Sequence, residues 1–224
     1  MNSKLSRIAA APLLGTVLAV TGLATAGELN LSESTTITSE ETNLLKVGDS
    51  IKDFTISTPM APNGEAEVTL SELLKSGPVV VTFFRGSWCP YCRTELSEIQ
   101  DRIEKFEAAG ASVLAISPEI DDKSIEMGNE LDLGFYLGHD ENNELARSLG
   151  LTFTLDEKTI KKYHEYKIDV PKSNGTNTWE LPIPATYVID QEMTIKYVFD
   201  DENYRKRADY KEVLNIVEKL AEDN

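Results

Sequence analysis

Val79-Val-Val-Thr-Phe-Phe-Arg-Gly-Ser-Trp-Cys-Pro-Tyr-Cys-Arg-Thr-Glu-Leu-Ser-Glu-Ile-Gln100 is the stretch from which the rest of the chain can be read. Val79 to Phe84 are β-branched or aromatic side chains in one run, which predicts a buried strand. After Pro90, the apolar Leu96, Ile99, Ile103 and Phe106 recur at helical spacing and predict a helix closed by Gly110. Cys89 and Cys92, the only 2 cysteines of the chain, fall where the strand hands over to the helix. Free backbone N–H groups and the positive end of the helix dipole stabilise a thiolate there. Cys89 begins the helix while Cys92 lies one turn inside it, so Cys89 is expected to be the attacking sulfur.

The energies favour reactivity. A thiol of pKa about 8.5 is only about 3% ionised at pH 7, and one near 6.5 is roughly three-quarters ionised. That shift requires about 2.7 kcal/mol, which the helix end and the nearby Arg85 and Arg93 are placed to supply. Other uses of the pair are weaker. A structural staple across so short a loop restricts the unfolded chain by only about 2 kcal/mol. Zinc would need two more ligands, and the only histidines, His139 and His164, stand apart with no second Cys-x-x-Cys. Two inert buried thiols remain a further alternative.

Working outward toward the N-terminus, Leu70–Leu74 reads as a helical turn, 59–64 as a turn and Phe54–Ser57 as a strand. Further back, Lys4 and Arg7 precede an apolar run from Ile8 to Leu23, and Ala24-Thr25-Ala26 closes it. That is the layout of a secretory signal. The run is about 16 residues, short for a membrane span, and holds Pro12, Gly15 and Gly22. Cleavage after Ala26 and an exported, periplasmic protein are therefore expected. An uncleaved anchor facing the periplasm is the alternative. Residues 27–46 are polar and read as a flexible N-terminal segment, and 47–224 as one domain. Without residues 1–26, which carry Lys4 and Arg7 and no acid, the formal charge goes from −16 to −18. So acidic a chain argues against nucleic acid and, once the signal is gone, against anionic membrane surfaces as partners.

Toward the C-terminus, Ser112–Ser117 reads as a second buried strand, Asp121–Glu130 as a helix, Phe135–Leu137 as a strand and Asn143–Leu149 as a short helix before Gly150. Residues 151–180 are irregular and read as an insertion near the active end of the sheet. Leu181–Asp190 is expected to be one strand, paired as a hairpin with Thr194–Phe199, and Tyr210–Leu220 is an amphipathic closing helix. The alternation implies an α/β fold with a central mixed sheet flanked by helices.

Five separated motifs carry a resemblance. They are Val47-Gly-Asp, Phe83-Phe-Arg-Gly-Ser-Trp-Cys-Pro-Tyr-Cys92, Ala115-Ile-Ser-Pro-Glu119, Ala146-Arg-Ser-Leu-Gly-Leu151 and Leu181-Pro-Ile-Pro-Ala-Thr-Tyr-Val-Ile-Asp190. Together they resemble the peroxiredoxin-like branch of the AhpC/TSA family in the thioredoxin superfamily, over about Val47 to Leu220. The resemblance implies a thioredoxin-like fold, an antioxidant thiol activity and a cis-proline, Pro184, lying against the cysteine pair. Family members place a threonine or serine three residues before the peroxidatic cysteine, a proline seven before it, and an arginine facing the sulfur. Here those first two positions hold Gly86 and Thr82, and Arg85 or Arg147 is expected to supply the guanidinium. Trp88 is expected to shield the pair, and His139 and His164 to lie on the solvent side or in loops.

The expected chemistry is that of a thiol-dependent oxidoreductase without metal, flavin or nucleotide cofactor. Cys89 attacks hydrogen peroxide or an alkyl hydroperoxide, Cys92 closes a Cys89–Cys92 disulfide, and a thioredoxin-like or other dithiol reductant resets it. Two alternatives stand beside this. One is a thioredoxin-like disulfide reductase or oxidase of the cell envelope. The other is a redox-inert binding module of the same fold.

Overall fold

The computed structural model describes residues 44–222. The expected signal, and residues 27–43 of the segment expected to be flexible, lie outside them. Nine strands and eight α-helices follow in the order β1 (Thr55–Met60), β2 (Glu67–Thr69), α1 (Leu70–Leu73), β3 (Val79–Phe83), α2 (Pro90–Gln100), α3 (Ile103–Ala108), β4 (Ser112–Ser117), α4 (Asp121–Glu130), β5 (Tyr136–His139), α5 (Glu144–Ser148), β6 (Thr152–Thr154), α6 (Glu157–Glu165), α7 (Val170–Asn174), β7 (Glu180–Pro182), β8 (Ala185–Ile189), β9 (Ile195–Asp200) and α8 (Tyr210–Glu222) among the described residues. Seven strands form one mixed sheet in the order β2-β1-β5-β4-β3-β8-β9, with β3, β4 and β5 mutually parallel and the rest antiparallel. Among the described residues no helix is long and apolar enough to cross a membrane.

The central strand is buried on both faces, which is why it reads as a continuous apolar run rather than an alternation. Val79, Val81 and Phe83 enter one core with Leu114, Ile116 and Tyr187. Val80 and Phe84 enter the other, with Cys89, Cys92, Leu96, Ile99, Phe106 and the closing helix residues Val213 and Val217. The cysteines thus belong to the layer that α2 and α8 make on one face of the sheet. Thr82, two residues from both Val80 and Phe84, points the same way and is fully buried.

Three expectations are corrected in detail. The helix after the cysteines is broken into α2 and α3, because Arg102 leaves helical geometry at φ −119°, ψ 2°. The stretch Leu181–Asp190 is two strands. Pro182 and Pro184 lack N–H donors, so no continuous ladder can pass through them. The chain changes partners there: β7 pairs with β6 in a separate two-stranded ribbon, and β8 joins the main sheet. Finally, Pro184 is not cis, since no cis peptide occurs among the described residues. In trans, the Ile183 N–H still finds the Leu151 carbonyl, and the Pro184 carbonyl accepts from the Asp201 N–H at 3.4 Å. With both groups satisfied, nothing offsets the ordinary trans preference of about 0.5–1 kcal/mol.

The insertion 151–180 folds on a small core of its own, with Leu155, Val170 and Leu181 against Phe153, Tyr163 and Trp179. Asp156 caps α6 by accepting from the Thr159 N–H at 2.7 Å, and Asp169 caps α7 from the Lys172 N–H at 3.2 Å.

Candidate active site

Cys89 is the N-cap of α2 with extended backbone (φ −92°, ψ 111°), and Pro90 fills the first helical position, where a missing N–H is harmless. Its sulfur therefore sits at the helix mouth. Both cysteines are free thiols with no solvent exposure. The Arg85 Nη2 donates to Cys89 Sγ at 3.2 Å, and its Nη1 donates to the Tyr163 hydroxyl at 2.9 Å. The guanidinium lies 4.0 Å from the centre of the Tyr204 ring and 5.3 Å from that of Trp88. Among the described residues no carboxylate pairs with Arg85, so its positive charge faces the sulfur uncompensated.

The two thiols titrate in opposite directions. The Cys92 thiol donating to it, the Arg85 charge and hydrogen bond, and the Cys92 backbone N–H together hold Cys89 down at about 5 against burial. At pH 7 such a group is about 99% thiolate. Cys92 is pushed well above the ordinary thiol value by burial, by its hydrogen bond to Cys89 and by the Cys89 charge.

The loop before Cys89 is shaped by a buried carboxylate. Glu119 Oε2 accepts from the Ser87 N–H at 2.6 Å and Oε1 from the Ser87 hydroxyl at 2.9 Å. Gly86 stands at φ +143°, and a Cβ there would meet Trp88 Nε1 at 2.6 Å and Glu119 Cδ at 3.3 Å. A threonine or serine at this position is therefore excluded by the loop itself, and the hydroxyl of the family pattern has no place to stand.

Behind Cys92 lies a polar cluster. Arg207 Nη2 donates to Cys92 Sγ at 3.4 Å, and its Nε forms an ion pair with Glu95 Oε2 at 2.5 Å. Glu95 Oε1 accepts from the Tyr210 hydroxyl at 3.0 Å, and that hydroxyl continues to Thr186 Oγ1 at 3.2 Å and Thr82 Oγ1 at 3.4 Å. Burial raises the Glu95 carboxyl to about 7 despite Arg207 and Tyr210.

A groove of ≈560 Å³ opens beside the cysteines, walled by Trp88, Tyr163, Tyr204, Phe153, Leu155 and Ile168, with Arg85 in its lining. Lys162 and Arg205 also line it. One wall is the insertion 151–180, which gives that segment a place in the site. Tyr163 and Trp88 meet edge to face at 5.6 Å, tying the insertion to the cysteine loop.

Of the residues expected from sequence, Cys89, Cys92, Arg85 and Trp88 come together here. Arg147 is held elsewhere: its Nη2 is 2.9 Å from Glu180 Oε1 and bonds the Asn142 carbonyl. Arg93 pairs with Glu130 at 2.8 Å. Pro184 stands at the entry to β8, beside Ala185, the register partner of Phe83. His139 Nδ1 lies 2.8 Å from Asp121 Oδ1, and His164 packs on Trp179 at 5.0 Å. Tyr163, Tyr204, Arg207, Glu95 and Tyr210 were not singled out by sequence. Glu95 alone left a signal, as a carboxylate on the same apolar face as Cys92, Leu96 and Ile99.

The sequence profile described as the AhpC/TSA family matches residues 47–198. Peroxiredoxin Q, chloroplastic, of Oryza sativa subsp. japonica is 28% identical over 153 residues, which are 68% of this chain and 59% of that protein. Thiol-disulfide oxidoreductase ResA of Oceanobacillus iheyensis is 27% identical over 107 residues, 47% of this chain and 55% of that protein. This chain thus spans less than two thirds of the length of these curated relatives. Among solved structures, peroxidoxin BcpB from Mycobacterium tuberculosis superposes with a TM-score of 0.61 at 22% identity, covering 79% of this chain and 98% of that one. A peroxiredoxin-like protein from Aquifex aeolicus gives 0.60 at 18% identity, covering 80% and 89%. The fold is that of the peroxiredoxins within the thioredoxin superfamily.

Proposed function

Because this chain belongs to the AhpC/TSA family, we propose that it is a thiol peroxidase whose attacking sulfur is Cys89 and whose resolving sulfur is Cys92. The Cys89 thiolate attacks the terminal oxygen of a hydroperoxide. An S–O bond forms, the O–O bond breaks, the departing alkoxide or hydroxide takes a proton from solvent, and Cys89 becomes a sulfenic acid. Cys92 then displaces the hydroxide as the Cys89–Cys92 disulfide forms, and an external dithiol of the thioredoxin type returns both thiols. No metal or organic cofactor enters these steps.

The observation that carries this reading is the 3.2 Å contact of Arg85 Nη2 with a sulfur that has no solvent exposure. A guanidinium there stabilises the thiolate and the negative charge that develops on the leaving oxygen. A peroxide of a few atoms needs a far smaller opening to reach such a sulfur than a folded protein's disulfide does. The aromatic groove gives the tail of an organic hydroperoxide somewhere to lie. A second reading, exchange with a protein disulfide, is favoured by the exposure of Pro90 and Tyr91 between the cysteines and by the ResA match.

One transient-kinetic comparison tests this. Reduced protein is mixed with hydrogen peroxide, cumene hydroperoxide or an oxidised protein disulfide in one buffer. Oxidation by either peroxide far above the rate of an ordinary thiolate is expected. Oxidation at the ordinary rate, with rapid exchange onto the disulfide, overturns it. Export to the periplasm is proposed on the sequence of residues 1–26 alone.

A further inference from the structure

When a hydroperoxide reacts with a thiolate, negative charge moves from the sulfur onto the departing oxygen, and a donor aimed at that oxygen speeds the step. Both terminal nitrogens of Arg85 are engaged, Nη2 with Cys89 Sγ at 3.2 Å and Nη1 with the Tyr163 hydroxyl at 2.9 Å. Other hydroxyls nearby are spent. Ser87 Oγ donates to Glu119 at 2.9 Å, Thr82 Oγ1 to the Ala185 carbonyl at 3.2 Å, and the Tyr210 hydroxyl to Glu95 at 3.0 Å. Tyr204 meets the guanidinium with its ring face. Tyr163 differs from all of these. A guanidinium only donates, so the tyrosine oxygen must accept from it, and the phenol's own O–H points elsewhere. Among the described residues that O–H has no acceptor. The ring lines the groove beside the cysteines and is fixed edge to face on Trp88 at 5.6 Å. Its backbone is held as well, the Tyr163 carbonyl accepting from the Ile168 N–H at 2.9 Å. Burial keeps the phenol above its ordinary value despite Arg85, so it retains its proton at neutral pH. A hydroxyl that accepts from a cation is polarised and donates more strongly in turn.

We propose that Tyr163 is a catalytic residue of the peroxide step, its hydroxyl donating to the leaving oxygen of a hydroperoxide held between the Cys89 sulfur and the groove. The inference rests on the peroxidase activity proposed above, and it gives the insertion 151–180 a chemical part. As the Cys89 thiolate attacks the terminal oxygen, the S–O bond forms and the O–O electron pair departs on the other oxygen. The Tyr163 O–H stabilises that oxygen while Arg85 Nη1 holds the phenol and Nη2 stays with the sulfur. The departing oxygen then takes a proton from solvent, Cys89 is left as the sulfenic acid, and Tyr163 ends as it began. The phenol thus carries the second arm of the guanidinium onto the leaving oxygen. The titratable and charged groups facing it are Arg85 and Cys89 from the cysteine loop and Tyr204 from the loop before α8.

The test compares the reduced full chain with its Tyr163→Phe variant, by stopped-flow oxidation with hydrogen peroxide and cumene hydroperoxide and by alkylation with iodoacetamide. Phenylalanine keeps the ring on Trp88 and removes only the oxygen, from a residue that is not fully buried. Oxidation by both peroxides should fall about 100-fold. Alkylation, which breaks no O–O bond, should keep its wild-type rate. The acidity of Cys89, read by thiolate absorbance, should also stay, since Tyr163 is not among the groups that set it. Peroxide rates within about threefold of a fast wild type overturn the inference and leave the peroxidase reading standing. Alkylation slowed as much as oxidation, with the Cys89 thiol shifted upward, also overturns it, because Tyr163 then acts only by holding Arg85 against the sulfur. A wild type that itself reacts with peroxide no faster than an ordinary thiolate removes the peroxidase reading and the inference together. Should Tyr163→Phe fail to fold, fluorotyrosine in place of Tyr163 decides. It keeps the oxygen and its bond to Arg85 but has a more acidic phenol, so oxidation should decline at lower pH than in the wild type, and identical pH profiles overturn the inference.

Discussion

Replacing Arg85 by methionine removes the charge and both hydrogen bonds while keeping an unbranched apolar stem among Trp88, Tyr163 and Tyr204. In the native site Cys89 stands at about 5, with Arg85 contributing both charge and a hydrogen bond to the sulfur. A charge-assisted hydrogen bond contributes about 1.5–3 kcal/mol. Arg85 is only 3% exposed, so solvent screening takes little from this. At about 1.4 kcal/mol per pH unit, Arg85→Met should raise the Cys89 thiol by about 1–2 units. The sign is upward, because a cation that favours the charged form has been lost. At pH 7 the thiolate fraction then falls from about 99% to roughly half to nine-tenths, at most a twofold loss.

Peroxide reduction should suffer far more. A donor aimed at charge that develops in the transition state contributes about 10²–10³ in rate, and raising the pH restores the thiolate without restoring that donor. The assay is paired. Thiolate absorbance against pH gives the acidity of Cys89, and stopped-flow oxidation by hydrogen peroxide at pH 7 and 8.5 gives the rate. A Cys89 acidity unchanged in Arg85→Met refutes the electrostatic account of the site. A variant that regains wild-type rate at pH 8.5 shows Arg85 acting only through ionisation, and refutes its role toward the peroxide.

Cys92→Ser, treated with one equivalent of peroxide, should accumulate sulfenic acid on Cys89 detectable by a dimedone-type probe and intact mass; no adduct, with the native chain forming none of the bridge, contradicts the assignment of roles. Gly86→Thr, which would put its Cβ 2.6 Å from Trp88 Nε1 at φ +143°, should destabilise the fold by about 1–3 kcal/mol, or about 2–4 °C of melting temperature per kcal/mol; an unchanged melting temperature refutes the steric account of the missing hydroxyl. Because the folded Cys89 thiol lies near 5, below a free thiol's value of about 8.5, the reduced protein should gain stability over Cys89→Ser as pH rises through that window. The gain is complete above about 8.5 and lost as pH falls through about 5, and a pH-independent difference in urea unfolding contradicts it. Protein from the native host should show an intact mass starting at Gly27, and a chain retaining Met1 would rule out cleavage.

What sequence could show depended on whether the deciding interaction was local. The strand–helix junction is local: Val79–Phe84 and the Leu96, Ile99, Ile103 series declare their periods without reference to anything distant, and Cys89 at the cap follows from them. Arg85 is within four residues of Cys89, so its candidacy was legible. Arg147 was equally cationic, and only the path of the chain after α5, which carries it to Glu180, decides between them. Tyr163 meets Arg85 from 78 residues away and Arg207 meets Cys92 from 115, Tyr204 covers Arg85 from as far along the chain, and nothing in their immediate neighbours marks them. The split of Leu181–Asp190 into two strands was in principle readable from Pro182 and Pro184, whose missing donors interrupt any ladder. The trans geometry at Pro184 was not, because it depends on partners for Ile183 and Pro184 that lie in other strands and loops.

The asymmetry of two cysteines three residues apart follows from how each cation is shared. Arg85 meets only neutral partners besides the sulfur, namely the Tyr163 hydroxyl and the faces of Trp88 and Tyr204, so its whole charge is available to Cys89. Arg207 is already committed to Glu95, and what remains for Cys92 does not overcome its burial and the neighbouring Cys89 charge. One sulfur is therefore charged before any substrate arrives. A single loop, 201–209, holds Tyr204 against Arg85 and Arg207 against Cys92, so a displacement of that loop alters both sulfurs at once.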